Sequence, residues 1–499
     1  MAEISAREAW IHSLEETLPM TSLDQTAPKG VIRLVFGFGF PNHRRVADQI
    51  LIQKEAFDFL RSRLRSSLLR WPFLGGQVVQ AEGDEHFQLV YSNDPLKFGF
   101  FRYKREVFDA QWMDLPGVAD YNELQMLGGP GEFIPPSAMD KDLLSLSPDL
   151  LAKHPVTLRL SFIPGGLLLC FSFDHRVMDG GAVVEFLNFF ASETVLTSTQ
   201  SVTPLVEAKE KIIEMEKCAA LSQYDIGDNV LYPSADSSAS PSVAKVFLFT
   251  AEAVEKLHEF ALAHLASRYG RQAFVSKIDV ICGLVWLHAT RVRQHRLKPD
   301  DTTHFISAAD IRSRVSPPLG AGYIGNMFVR LVSVATVKDL LDGAGARTRE
   351  DIVAEAAWRI RKTVENLGSP EYVANCIKLA GHPNPRKSET IFHAGLHRAT
   401  SFVDNSSWVG LGADVEFKIP GTHYNLPGTE GGKAQWVRKG YSARGMTILP
   451  RQGGTRGDAL WEVVIALRAD DMGKIRGEEE LGRYTSENSY VEYFVHDSD

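Results

Sequence analysis

Val156–Gly181, VTLRLSFIPGGLLLCFSFDHRVMDGG, is the stretch from which the fold is read. Val156 to Phe162 and Leu167 to Asp174 are apolar, β-rich runs, and Pro164-Gly165-Gly166 between them supplies turn chemistry, so the segment reads as a hairpin. His175 follows the second strand at once. The string His175-Arg176-Val177-Met178-Asp179-Gly180-Gly181 then runs into a helical stretch from Ala182 to about Ala191. A strand end fixes the place of an imidazole, and Gly180-Gly181 lets the backbone turn and approach a ligand closely. Histidine suits proton transfer because its ordinary pKa of about 6.5 leaves the ring neutral near neutral pH. Asp179, four residues on, need not touch the ring after a turn, so no Ser-His-Asp relay follows from the spacing.

On the N-terminal side, Val31 to Phe38 reads as a strand stopped by Gly39 and Pro41. Phe57, Leu60, Leu64 and Leu68 recur at helical spacing, and Trp71-Pro72 stops that helix. On the C-terminal side, Glu207 to Leu221 is helical and charged, and Tyr232 to Val243 dissolves into Ser, Pro and Ala. A second block opens at Lys245 to Phe249. Thr250 is placed to cap the next helix, and Ser276 with Asp279 gives a capping signal ahead of Val280, Ile281, Leu284 and Val285. Val353, Ala356, Ile360, Val364 and Leu367 mark another helix with Gly368 at its stop. Late strands are expected at Met446 to Leu449 and Ala459 to Leu467. The irregular alternation gives an α/β fold of two similar-sized lobes: 1–206 carrying the H-x-x-x-D-G motif, 207–244 as a crossover linker, and 245–499.

At 499 residues, with 44% hydrophobic and 23% charged residues, the chain has material for more than one ordinary core. A net charge of -8 provides no global field for nucleic acid or an anionic membrane, so an anionic co-substrate would need a local basic pocket. The four cysteines, Cys170, Cys218, Cys282 and Cys376, form neither a disulfide framework nor a zinc spacing, which points to a reducing compartment. With no signal-peptide pattern and no membrane-length apolar run, a cytoplasmic location is expected.

Taken together, these motifs make the chain resemble the BAHD acyltransferases of plant and fungal secondary metabolism, its fungal trichothecene-acetyltransferase branch above all. The resemblance rests on Leu23-Asp24-Gln25, Trp71-Pro72-Phe73-Leu74-Gly75-Gly76, His175 to Gly181, and the Ser276 helix with Trp286. Most specific is Asp310-Ile311-Arg312-Ser313-Arg314 running through Pro317-Pro318-Leu319 to Gly322-Tyr323-Ile324-Gly325-Asn326, and Leu467 to Met472 is similar to the family's last strand. One departure stands out: the family usually carries D-F-G-W-G after a Ser-Trp pair, whereas Ser407-Trp408 here precedes Asp414-Val415-Glu416-Phe417-Lys418.

The resemblance implies two chloramphenicol-acetyltransferase-like lobes, each a mixed β-sheet with flanking helices, and an active-site channel at their interface. It implies acyl transfer from acyl-CoA as co-substrate, acetyl-CoA by default, to a small-molecule hydroxyl or amine, with no permanently bound cofactor. His175 is the implied general base, and Asp179 an architectural partner of Arg312, with Gly180 supporting the turn. Ser276 and Lys277, at a helix N-terminus, could meet CoA phosphates, and Tyr323, Gly325 and Asn326 are further donor-side candidates. Family members are usually monomeric. No metal is expected: His393 and His397 sit at i, i+4 without a completing carboxylate pattern, and Gly128-Gly129-Pro130-Gly131 reads as a loop. Two other readings compete. Condensation-type enzymes with carrier-bound donors share the fold but usually carry H-H-x-x-x-D-G, where this chain has Asp174. A catalytically inactive relative has no chemical reason to keep both His175 and Asp179.

Overall fold

Pro164-Gly165 turns strand β6 (Val156–Ile163) directly onto β7 (Gly166–Asp174), and Gly165 takes φ 74°, a left-handed value that favours glycine. The computed structural model that shows this describes residues 16–28, 30–80, 86–93, 108–115, 117–127, 129, 134, 154–217, 242–320, 322–341, 348–382, 401–411, 414–422, 432–439, 445–476, 479–485 and 491–493. His393, His397, Cys218, most of the 128–131 loop and the expected linker from 218 to 241 lie outside them.

The chain divides into two compact units that are not continuous in sequence. The first comprises Met1–Lys217, Leu319–Met327 and Ala413–Gly440; the second comprises Cys218–Pro318, Phe328–Gly412 and Tyr441–Asp499. Two segments of the expected C-terminal lobe therefore belong to the first unit. The expected boundary at 206 falls inside the helix Thr203–Glu216.

In the first unit, β1 (Glu16–Leu18), β4 (Phe87–Tyr91) and β3 (Gln77–Gln80) form a small sheet. A five-stranded sheet runs β12-β2-β7-β6-β5, with β2 at Val31–Gly39, β5 at Phe108–Trp112 and β12 at Trp436–Lys439. All its pairings are antiparallel except β5 with β6. The helices used below are α1 (Ser22–Gln25), α2 (Val46–Arg70), α3 (Gly180–Ala191) and α4 (Thr203–Glu216). Helix α2 ends where Trp71-Pro72 requires, with the Trp71 amide donating to the Ser67 carbonyl.

The second unit holds a seven-stranded sheet ordered β10-β9-β11-β13-β14-β8-β15. Its strands are β8 (Ser242–Phe249), β9 (Thr302–Asp310), β10 (Phe328–Thr336), β11 (Ser401–Ser407), β13 (Gly445–Ile448), β14 (Trp461–Arg468) and β15 (Val491–Tyr493). Helices α5 (Ala251–Tyr269), α6 (Lys277–Arg293) and α7 (Arg349–Glu365) share its buried core with Trp286, Val353, Ile360, Phe305 and Val463. Thr250 caps α5, and Ser276 with Asp279 closes the expected capping box on α6. The Trp286 indole N–H donates to Thr303 Oγ1 at 3.0 Å, which satisfies the one polar group of a fully buried ring.

The departure from D-F-G-W-G keeps the aromatic anchor and changes the turn. Phe417 is buried against Phe36 at 5.0 Å and Phe38 at 5.7 Å between ring centroids, edge to face, within a cluster that includes Phe171 and Phe190. Lys418, where the family's last glycine would stand, has φ 52° and is the non-glycine residue in that region among the described residues. Its ammonium pairs with Glu193, an exposed contact that offsets little of a left-handed backbone. Lys418→Gly is expected to unfold at or above the wild-type temperature, whereas Lys418→Val, β-branched at positive φ, is expected to unfold lower. Differential scanning calorimetry of the three proteins checks the order.

Candidate active site

His175 leaves β7 with its amide donating to the Gly30 carbonyl at 3.0 Å, so the strand pairing of β2 fixes where the turn begins. Val177 and Met178 amides both return to the Asp174 carbonyl at 3.0 Å, closing a tight turn. The residues flanking the imidazole are tied to each other. Arg176 donates from Nε to Asp174 Oδ1 at 2.9 Å and from Nη2 to Oδ2 at 2.6 Å, while its guanidinium lies over the Phe87 ring. Asp174 stands where a condensation enzyme would have the first histidine of its H-H-x-x-x-D-G string, and here it is consumed by this buried pair.

Asp179 is the N-cap of α3: Oδ1 accepts from the Ala182 amide at 2.9 Å, and Oδ2 accepts from the Met327 amide at 2.8 Å. One carboxylate therefore starts the helix after the motif and binds the returning 319–327 segment. Gly180 opens α3. That segment completes the site through Asn326, whose Nδ2 donates to the carbonyls of His175 at 2.9 Å and Arg176 at 3.1 Å. The Asn326 amide and Nδ2 also donate to Asp24 Oδ1 at 2.8 and 3.2 Å. Asp24 Oδ2 accepts from Lys209 Nζ at 2.7 Å. Asp24, Lys209 and Asn326 are all fully buried.

His175 itself is half-buried. Burial holds its pKa below the ordinary histidine value; a hydrogen bond to its own carbonyl, the Asp179 charge and Asn326 oppose that shift, and the charge of Lys439 adds to it. At neutral pH the ring is therefore neutral and able to accept a proton.

Of Tyr323, Gly325 and Asn326, expected on the donor side, Asn326 bonds to the carbonyls of the His175 turn, and Tyr323 and Gly325 lie beside Lys209. Tyr323 is buried, and Lys209 Nζ lies 5.5 Å from its ring centroid. A Cβ on Gly325 would come within 2.9 Å of Lys209 Nζ and 2.8 Å of the Tyr323 ring. In the second unit, the Ser276 hydroxyl is engaged by Asp279 and Arg361, and Lys277 by Glu255. Arg312 donates to Asp310 Oδ2 at 2.9 Å. Lys209 was not recognised from the sequence as a site residue, although Leu205, Lys209, Ile212 and Glu216 share the buried stripe of α4. Two charges at core positions of an amphipathic helix were the available signal.

The model of the Transferase family matches residues 10–481. This chain belongs to that family, the BAHD acyltransferases, and its activity is acyl-CoA-dependent acyl transfer. The trichothecene 3-O-acetyltransferase TRI101 of Fusarium sporotrichioides is 25% identical over 352 residues, covering 66% of this chain and 68% of the relative. The O-acetyltransferase ptmV of Penicillium ochrochloron is 23% identical over 532 residues, covering 95% of this chain and 97% of the relative. Among solved structures, F. graminearum TRI101 complexed with ethyl coenzyme A is similar with TM-score 0.70 at 18% identity, covering 95% of this chain and 99% of that one. Vinorine synthase gives TM-score 0.57 at 14% identity, covering 95% and 95%. Among the described residues, no helix is long and apolar enough to cross a membrane.

A pH titration of the His175 ring by NMR, assigned by its loss in His175→Ala, should give a pKa below the ordinary value of about 6.5. Asp179→Asn removes a charge that favours the imidazolium, so its midpoint should move lower still. A midpoint at or above the ordinary value in the wild type would contradict the electrostatics described here.

Proposed function

We propose that this protein transfers an acyl group, acetyl in the first instance, directly from acyl-CoA to a hydroxyl or amine of a small secondary metabolite, with His175 as general base. The observation that carries this reading is the fixed turn that sets His175 at the end of β7, its amide donating to Gly30 and its carbonyl accepting from Asn326, with burial holding the ring's pKa below the ordinary histidine value. The ring takes the acceptor's proton as its oxygen or nitrogen bonds to the thioester carbonyl carbon. The carbon–sulfur bond then breaks, and the proton passes to the departing thiolate to give free CoA and the acylated product. The relatives named as O-acetyltransferases support acetyl and a hydroxyl acceptor.

No cysteine among the described residues offers a covalent alternative. Cys170 and Cys282 are buried, burial pushes the Cys282 thiol well above its ordinary value, and the Cys376 thiol is raised to about 11. A carrier-protein donor is not favoured, because Asp174 is spent on Arg176. A cytoplasmic location is proposed on the cysteine spacing, which forms no disulfide framework, and a monomer on the family's habit.

Folded His175→Ala should release CoA thiol from acetyl-CoA, in the presence of a panel of small alcohols and amines, about 10²–10⁴-fold more slowly than wild type. Near-wild-type release would remove the base. Intact-mass spectrometry with acetyl-CoA alone should show no stoichiometric, hydroxylamine-sensitive adduct, since direct transfer forms none.

The role of Asp179 in this proposal is architectural. Its cap is local, its Met327 contact binds the returning 319–327 segment, and the family resemblance adds a pairing with Arg312. Asp179→Ala should lose both activity and stability, by about 2 kcal/mol or more from the lost cap and the exposed amide donors. In urea unfolding, Asp179→Ala and Arg312→Ala should combine less than additively; strict additivity would show that the two are not partners.

A further inference from the structure

We propose that the buried Asp24–Lys209 pair is a positioning device for the general base, acting on His175 through Asn326 from beyond the reacting atoms. This deepens the reading of His175 as base and rests on it.

Asp24 is 0% exposed and Lys209 1%, with 2.7 Å between Oδ2 and Nζ. Burying both charges is expensive, and a well-packed neutral pair often does as well for stability alone. The arrangement earns a different explanation because the two carboxylate oxygens have separate tasks. Oδ2 takes Lys209 together with the Thr21 amide at 2.9 Å and hydroxyl at 3.0 Å, which ties α4 to the capping box of α1. Oδ1 faces the other way and takes only Asn326, by both its main-chain and side-chain N–H groups. The same Asn326 amide nitrogen reaches the carbonyls of His175 and Arg176. The backbone of His175 is also among the groups that favour its imidazolium. A charged acceptor at Asp24 thus aims the amide that holds the backbone of the turn from which the imidazole projects. Charge-assisted hydrogen bonds are about twice as strong as neutral ones, so a neutral residue at 24 would leave Asn326 less firmly aimed.

Lys209 is held in register from outside as well. Its ammonium lies over Tyr323 and against Gly325, where a Cβ would come within 2.9 Å of Nζ. The first residue of α1 is clamped as well, with the Ser22 amide and hydroxyl donating to Glu216 at 2.8 and 3.0 Å. Burial and the nearby Asp24 charge raise the Glu216 carboxyl to about 7, so an activity profile near neutral pH contains more than one titration. The ring of His175 must therefore be observed directly.

The test uses the full chain with Asp24→Asn/Lys209→Met, which removes both charges, leaves the net charge unchanged and keeps the side-chain shapes. It should remain folded, with kcat for CoA release from acetyl-CoA and the best panel acceptor down about tenfold or more. KM for acetyl-CoA should stay within about twofold, a split that loss of a binding contact would not give. The His175 NMR midpoint should fall, because hydrogen bonds that favour the imidazolium are loosened while no net charge has changed. Gly325→Ala is an independent perturbation that displaces the Lys209 ammonium and deletes no polar group; it should move kcat and the His175 midpoint in the same directions. Wild-type kcat and midpoint in a folded double variant would overturn the proposal and leave the pair a purely structural one. Should the double variant not fold, the same two wild-type values in Gly325→Ala would overturn it. His175→Ala is measured alongside: if it retains turnover, the general-base reading itself fails, whatever the other variants show.

Discussion

The first unit depends on the requirement that a fully buried carboxylate be surrounded by donors. Asp24 meets it with donors from three places far apart in sequence: Thr21 in its own turn, Lys209 on α4 and Asn326 in the returning segment. Each of those donors carries a piece of chain to a fixed place. Two further polar ties bring Leu319–Met327 to the underside of the His175 turn: Asn326 donates to the His175 and Arg176 carbonyls, and Asp179 binds the neighbouring Met327 amide. Two carboxylates, one before the hairpin and one after it, therefore hold the same short segment by adjacent residues.

This division explains why so much of the H-x-x-x-D-G string is devoted to turning the chain. Asp174 and Arg176 bind each other, the Val177 and Met178 amides return to Asp174, Asp179 caps α3, and Gly180 begins that helix. The imidazole is left for the proton transfer proposed above. Its surroundings pull in two directions: burial and Lys439 keep it neutral, while Asp179, Asn326 and its own carbonyl moderate that effect. The general base proposed above, which would release its proton to a thiolate later in the same turnover, benefits from that balance, since a strongly basic ring would hold the proton and a very weak one would not take it.

Features set by neighbours in sequence were legible. The hairpin at Pro164-Gly165, the caps at Thr250 and Ser276, and the stop at Trp71-Pro72 all depend on a few consecutive residues, and they occur where the pattern places them. Segment membership was not legible. Residues 319–327 and 413–440 join the first unit because Asn326 finds Asp24 and because Trp436–Lys439 pairs with β2, contacts that periodicity cannot encode. The site shows the same split. His175 and Asp179 were visible as a string, whereas Lys209 looked like one charge among several on a polar helix, and only the company of Leu205 and Ile212 on its stripe marked it as internal.

The altered D-V-E-F-K segment shows which part of a family motif carries the physical constraint. Phe417 retains the aromatic volume that fills the space between Phe36, Phe38, Phe171 and Phe190, and a void there would cost both dispersion contacts and burial. The glycine that would make the turn inexpensive is absent, yet the backbone at Lys418 still adopts the left-handed conformation. Packing of a buried ring thus dictates the path of the chain, and the residue after it follows at a local conformational cost. Phe171 lies on β7, four residues before His175, and touches Phe417 directly. The same aromatic contact that compels the turn at Lys418 therefore also braces the strand from which the imidazole projects, which gives this segment a reason to persist without its glycines.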